Sequence, residues 1–354
     1  MRWNGASWTF CGEPVLTNTS ERTAAVAQAR VIPLHGKKKT GNSTPGVAQR
    51  HALAESSVPP EEATPAPSPV RTAPQDMTDR LADFVAFARR RLTGDYEVDE
   101  FGFDAELTDN VIIPPLRQLY QKWFRVEVIG THNLPDTGGA LLVANHSGTL
   151  PLDAMMTAIA VRDNHPAGRY LRMLGADLVF RTPVLGSWAR KTGQTLACNA
   201  DAERLLRENH LVGVWPEGFK GIGKPFRDRY KLQRFGRGGF VAAALRTGTP
   251  IVPVSIVGAE EIYPKIADIK PLARLLGFPY FPVTPLFPLF GPLGAVPLPS
   301  KWYIEFGEPI RTDVFGEGAE EDPMLLFNLT DQVRENIQQT LYRLLSGRRN
   351  VFLG

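Results

Sequence analysis

Two short segments carry residues whose types and spacing suit chemistry. In the first, an apolar run, Leu141 to Ala144, ends in Asn145-His146-Ser147, and six residues separate His146 from Asp153. An imidazole at a strand end, with a carboxylate in the first turn of the next helix, forms the pair a general base needs. The carboxylate fixes the tautomer and steadies the imidazolium while the other ring nitrogen takes a proton. The same pair has a plainer reading, in which Asp153 complements a helix N-terminus and His146 is a satisfied strand-end residue.

The second segment, Val212 to Lys220, again runs from an apolar stretch into a polar turn, Pro216-Glu217-Gly218. Lys220, Lys224, Arg227, Arg229, Lys231, Arg234 and Arg237 follow, opposed only by Asp228. Such a cluster, spaced by glycines that let the backbone come close to a ligand, suits a phosphate group. A solvated basic loop is the plainer reading. No Gly-x-Ser-x-Gly elbow and no cysteine close to His146 in the sequence supports a covalent nucleophile. The remaining histidines, at 35, 51, 132, 165 and 210, have no metal-ligand spacing, and no metal is expected.

These segments need strands to aim them. Apolar runs predict strands at 124–129, 140–144, 211–215, 251–257 and 302–306, interleaved with helices near 152–162, 184–191, 200–208 and 239–247. Alternation of this kind implies an α/β fold, a mixed sheet flanked by helices. Pro253 lies inside one strand and belongs at a sheet edge or a bulge. Asp322, Pro323 and an apolar stripe from Leu326 to Leu344 predict a final helix closed near Gly347. An earlier helix from Asp76 to Leu92 carries an apolar stripe, Leu81, Phe84, Val85, Ala88 and Leu92, that has the spacing of a core face. The expected organisation is a disordered Pro-rich tail over 1–75, a helical region over 76–124 and an α/β domain over 125–354.

Asn145-His146 with Asp153, then Pro216-Glu217-Gly218, then Val252-Pro253-Val254, in that order, resemble the blocks of the glycerophosphate and lysophospholipid acyltransferase family, whose type is 1-acylglycerol-3-phosphate acyltransferase. The resemblance covers roughly residues 125–310, and 214–263 is especially similar to bacterial members. It implies transfer of a fatty acyl group from acyl-CoA or acyl carrier protein to a lysophospholipid hydroxyl, with acyl-CoA a co-substrate and no resident cofactor. By the resemblance His146 is the base, Asp153 its partner, Glu217 and Gly218 the acceptor's phosphate end, and Pro253 the acyl-donor side. Asn145, Ser147, Lys220 and Lys224 complete the expected substrate contacts.

Two features depart from the family pattern. Six residues rather than four separate His146 from Asp153, so a longer turn through Gly148 and Thr149 must close the dyad. The stretch after Gly193 reads Gln-Thr-Leu-Ala-Cys-Asn199, without the arginine of the family's second block. Acylation of diacylglycerol or another lipid alcohol, or a catalytically silent lipid-binding role, is the alternative.

The formal charge of +3 on 354 residues argues against nucleic acid as a partner, and two cysteines indicate a reducing cytoplasm. The N-terminal stretch lacks the apolar core of a signal peptide. The apolar segment 278–299 is broken by prolines and glycines, so no transmembrane helix is expected. That segment is either a packed loop or a patch that dips into a membrane surface; with the 76–92 helix and the basic loop it would make a peripheral attachment at the inner face.

Overall fold

The computed structural model describes residues 77–354 except Pro183 and Arg237. The tail expected over 1–75, with Cys11 and the N-terminal stretch, lies outside the described residues. From Ala82 the chain forms one compact unit; the first residues of the opening helix belong to another.

In chain order the helices are α1 (Met77–Thr93), α2 (Ala105–Leu107), α3 (Ile113–Gln118), α4 (Leu152–Asn164), α5 (Asp177–Arg181), α6 (Leu185–Lys191), α7 (Asn199–Arg207), α8 (Phe219–Ile222), α9 (Gly239–Thr247), α10 (Lys270–Leu276) and α11 (Pro323–Gly347). The strands are β1 (Glu127–Ile129), β2 (Ala140–Ala144), β3 (Leu171–Gly175), β4 (Gln194–Leu196), β5 (Leu211–Val214), β6 (Ile251–Val257), β7 (Ala267–Asp268), β8 (Pro282–Val283) and β9 (Tyr303–Phe306). Seven strands form one sheet in the order β1-β9-β6-β2-β5-β3-β4, and β7 pairs with β8 separately. The five strands from β6 to β4 are parallel, whereas β9 runs antiparallel to β6 and parallel to β1.

A parallel sheet buried on both faces explains why β2, β5 and β6 are continuous apolar runs. Alternate residues of β2 enter two cores: Ala140, Leu142 and Ala144 face α4 and the helical run before β1, and Leu141 and Val143 face α7, α9 and α11. The last helix forms as its caps dictate. Asp322 accepts from the backbone N–H of Met324, and Leu329, Val333, Ile337, Leu341 and Leu344 are buried on one stripe. Each such side chain contributes about 1.5–3 kcal/mol on burial.

One expectation is narrowed and two change. Pro253 is in an interior strand, not an edge, but at a bulge. Between the Val254–Phe306 and Ile251–Ile310 pairs β6 advances three residues and its partner four, so the position lacking an N–H falls where the ladder is broken. Strand β3 has no counterpart among the predicted elements, because Arg172 interrupts its apolar run. That arginine is buried, bonds Asp99 at 2.5 Å and lies over the Phe103 ring. The other change concerns α1, whose apolar stripe faces outward. Phe84, Val85 and Leu92 are exposed, while Arg91 turns inward onto the fully buried Asp104 and Arg90 pairs with Glu106.

Candidate active site

His146 stands two residues past the end of β2, and its surroundings are built from three segments that are distant in sequence. Asn145 extends the β2–β6 ladder with its side chain, accepting from the N–H of Ile256 at 2.7 Å and donating to the Ile256 carbonyl at 3.0 Å. This fixes the direction in which the chain leaves the strand. Gly148 and Thr149 then take positive φ, +93° and +63°, and fold the longer segment back so that α4 begins beside the strand end. Thr149 is a β-branched residue in that region, at a cost of about 1–2 kcal/mol. Its carbonyl accepts from the hydroxyl of the half-buried Tyr280 at 2.5 Å, which braces the turn. Burial also pushes the Tyr280 phenol well above its ordinary range, so it remains a donor.

The turn delivers Asp153 to the imidazole. His146 Nδ1 lies 2.7 Å from Asp153 Oδ2, and the same oxygen accepts from the Ser147 N–H at 2.9 Å. Asp153 is fully buried, while the His146 side chain keeps 13% of its exposure. A carboxylate at Nδ1 makes that nitrogen the donor and leaves Nε2 as the acceptor. The Trp215 ring lies 6.0 Å from the imidazole, and the buried Ser147 hydroxyl has no hydrogen-bond partner among the described residues.

Glu217 connects this segment to the basic loop. One oxygen accepts from the His146 N–H at 2.9 Å and the other from the Gln233 N–H at 2.6 Å. Lys224 reaches between Glu217, at 3.5 Å, and Glu260, at 3.0 Å, with all three side chains buried. Two carboxylates thus share one ammonium. Burial pushes Glu260 up to about 7, against the pull of Lys224. Gly218 holds the turn at φ +54°, and Gly221 lies so close that an added Cβ would meet His146 Cβ at 2.9 Å and Glu217 Cβ at 2.7 Å.

A family model described as Acyltransferase matches residues 125–257, which span β1 to β6 and include His146, Asp153, Glu217 and Lys224 but not Glu260 or Tyr280. Proteins of Mycobacterium tuberculosis and Mycobacterium leprae are 60% identical over 287 residues and 62% identical over 279, covering 81% and 79% of this chain and 80% and 76% of their own lengths. The 1-acyl-sn-glycerol-3-phosphate acyltransferase alpha of Mus musculus is 28% identical over 166 residues, 44% of this chain and 55% of that protein. Over residues 125–257 the chain belongs to the acyltransferase family. A solved acyltransferase, PlsC of Thermotoga maritima, aligns with 75% of this chain and 97% of its own at 18% identity and a TM-score of 0.43.

In this acyltransferase the expected dyad, His146 and Asp153, is brought together, with Asn145 and Ser147 beside it. Lys220 is exposed on α8, one residue before Gly221, and has no hydrogen bond or ion pair among the described residues. The other residues expected at the acceptor turn inward. Both Glu217 oxygens and the Lys224 ammonium are committed within the protein, and Asn145 is used in stitching the sheet. Pro253 is buried in β6, where its carbonyl accepts from the Gly307 N–H at 2.8 Å. Sequence reasoning missed Glu260, Tyr280 and Lys265. Lys265 donates to the Gly223 carbonyl at 2.7 Å and lies over the Tyr280 ring, and burial lowers its ammonium. Their only signal is a polar residue within an otherwise irregular segment. Among the described residues no group of three or more His, Cys, Asp or Glu could hold a metal ion.

Proposed function

We propose that the protein transfers a fatty acyl group from an acyl-CoA or acyl carrier protein thioester to the hydroxyl of a lysophospholipid such as 1-acylglycerol 3-phosphate. The observation that carries this reading is the 2.7 Å bond between His146 Nδ1 and the buried Asp153, which leaves Nε2 of a partly exposed imidazole to take a proton. The acceptor O–H gives its proton to Nε2 as its oxygen attacks the thioester carbonyl. A tetrahedral oxyanion forms at the former carbonyl. Collapse expels the thiolate, which takes the proton back from the imidazolium, and Asp153 steadies that cation throughout. A positioned base contributes about 10²–10⁴-fold. Glu217, Lys224 and Asn145 act as positioning residues, and the exposed Lys220 is the cation for the acceptor's phosphate.

A second acceptor class is favoured by the commitment of Lys224 to Glu217 and Glu260, which leaves fewer cations for a phosphate. Diacylglycerol or another lipid alcohol would need none. For either class the protein works as a peripheral enzyme at the inner face of a membrane. No described helix is long and apolar enough to cross a membrane. The segments that follow β2, β3 and β6 leave the same end of the sheet as His146 and expose Leu150, Val184, Trp188, Leu275, Leu289 and Leu293. Apolar tips around a site on this scale suit contact with a bilayer.

The test is thiol release from acyl-CoA with a panel of lysophospholipids and lipid alcohols, comparing wild type with His146→Ala. Release with at least one acceptor, lost in a variant that keeps its circular dichroism spectrum, is expected. Retained turnover in His146→Ala would overturn the base assignment, and lipid binding without thiol release from any pair would make the protein a silent lipid binder.

A further inference from the structure

A cleft of about 420 Å³ opens between the Arg229–Lys231 segment and the C-terminal end of α11. Its walls carry Arg229, Lys231, Arg348 and Arg349, one acidic residue, Glu261, and the exposed ring of Tyr342. The acid is already neutralised. Glu261 and Arg348 pair at 2.7 Å with both side chains buried. Arg229 is held over the Phe226 ring at 4.5 Å, Lys231 has only Asp228 at 3.6 Å, and Arg349 has no hydrogen bond or ion pair among the described residues. Three cations therefore face a space of the size of a cofactor site, beside an aromatic face.

The cleft is joined to the dyad by covalent and hydrogen-bonded links. Lys231 is two residues from Gln233, whose N–H shares the Glu217 carboxylate with the His146 N–H. Glu261 lies two residues beyond Ala259, whose carbonyl is 2.7 Å from the position of a Cβ on Gly148. With consecutive Cα atoms ~3.8 Å apart, the near wall is within roughly 15 Å of His146. A phosphopantetheine arm, about as long as five extended residues, covers that span.

We infer that this cleft holds the phosphate-bearing nucleotide end of a coenzyme A thioester. Arg229, Lys231 and Arg349 take the phosphates, the Tyr342 ring takes the purine, and the pantetheine arm runs to His146. The inference rests on the acyl-transfer reading and names its donor. Guanidinium forks and an ammonium are the groups that bind phosphate oxygens, and an aromatic face stacks a base.

The test is calorimetric titration of the full chain with coenzyme A, 3′-dephospho-coenzyme A and pantetheine at one salt concentration, repeated for Arg349→Glu and Lys231→Glu. Coenzyme A is expected to bind tightest and pantetheine weakest, and each reversal to weaken coenzyme A by about tenfold or more while leaving pantetheine unchanged. Equal affinity for coenzyme A and pantetheine, or reversals that leave coenzyme A binding intact, would overturn the inference. Sedimentation with phosphatidate vesicles separates the other phosphate source: reversals that release vesicles but not coenzyme A assign the cleft to a lipid headgroup and overturn it too. A protein that binds coenzyme A in the expected order yet acylates no acceptor keeps the cleft and loses the transfer reading, so the two failures are distinct.

Discussion

Gly221→Ala tests whether the basic loop sets the position of the imidazole. The new methyl would meet His146 Cβ and the His146 carbonyl at 2.9 Å and Glu217 Cβ at 2.7 Å. Carbon atoms pack at about 3.5–4.0 Å, so something must move by roughly 0.6–1 Å. The direction of give is limited. Glu217 is fixed by the N–H groups of His146 and Gln233, and Asn145 fixes the strand end, so the strain falls on the histidine itself. A displacement of about 1 Å in a catalytic group costs on the order of 10²-fold in rate, and overpacking costs about 1–3 kcal/mol in stability. The expected result is a fall of roughly 10- to 100-fold in kcat for thiol release, with a melting temperature lowered by a few degrees and the acyl-donor KM changed little. Gly316→Ala, with nothing within 4 Å of the added Cβ, is the control. A Gly221→Ala protein with wild-type kcat would refute the view that contact with this loop holds His146 in its working position.

Two further outcomes follow from the same geometry. Asp153→Asn is expected to lower kcat by about 10²–10⁴-fold, because an amide no longer fixes the proton on Nδ1, while KM for the acyl donor changes little; steady-state kinetics check both. Glu260 has a folded-state pKa of about 7, raised chiefly by burial above its ordinary value of 4.5. A raised pKa adds stability that is fully present below the unfolded value and is lost as pH rises through 7. Wild type should therefore lose up to roughly 3 kcal/mol from this group between pH 4.5 and 7. Glu260→Gln should flatten that part of the profile in urea melts at pH 5 and pH 8, and an unchanged slope in the variant would contradict the burial argument.

What the sequence made legible follows physical pattern. Continuous apolar runs exposed β2, β5 and β6, and the cap at Asp322 with its stripe exposed α11, because burial on a regular element leaves a period. The pairing of His146 with Asp153 was legible despite its unusual spacing, since Gly148 stood where a turn was needed. Strand β3 was hidden because a buried arginine satisfied from another segment looks polar in sequence. Glu217 and Lys224 were legible as important but not in their orientation. Whether a carboxylate faces ligand or backbone is decided by partners such as Gln233 and Glu260, which no local period reveals.

The Glu217 carboxylate also has a consequence for folding. It bonds the N–H groups of residues 146 and 233, so the pocket cannot be assembled from any local stretch of chain. Contacts of such sequence separation are entropically slow to close and form only after the intervening elements are in place. A partly folded chain, with its helices already formed, would then hold His146 without a fixed backbone. The working geometry of His146 is thereby tied to the joining of the β2 and β5 strand ends with the loop that carries Gln233.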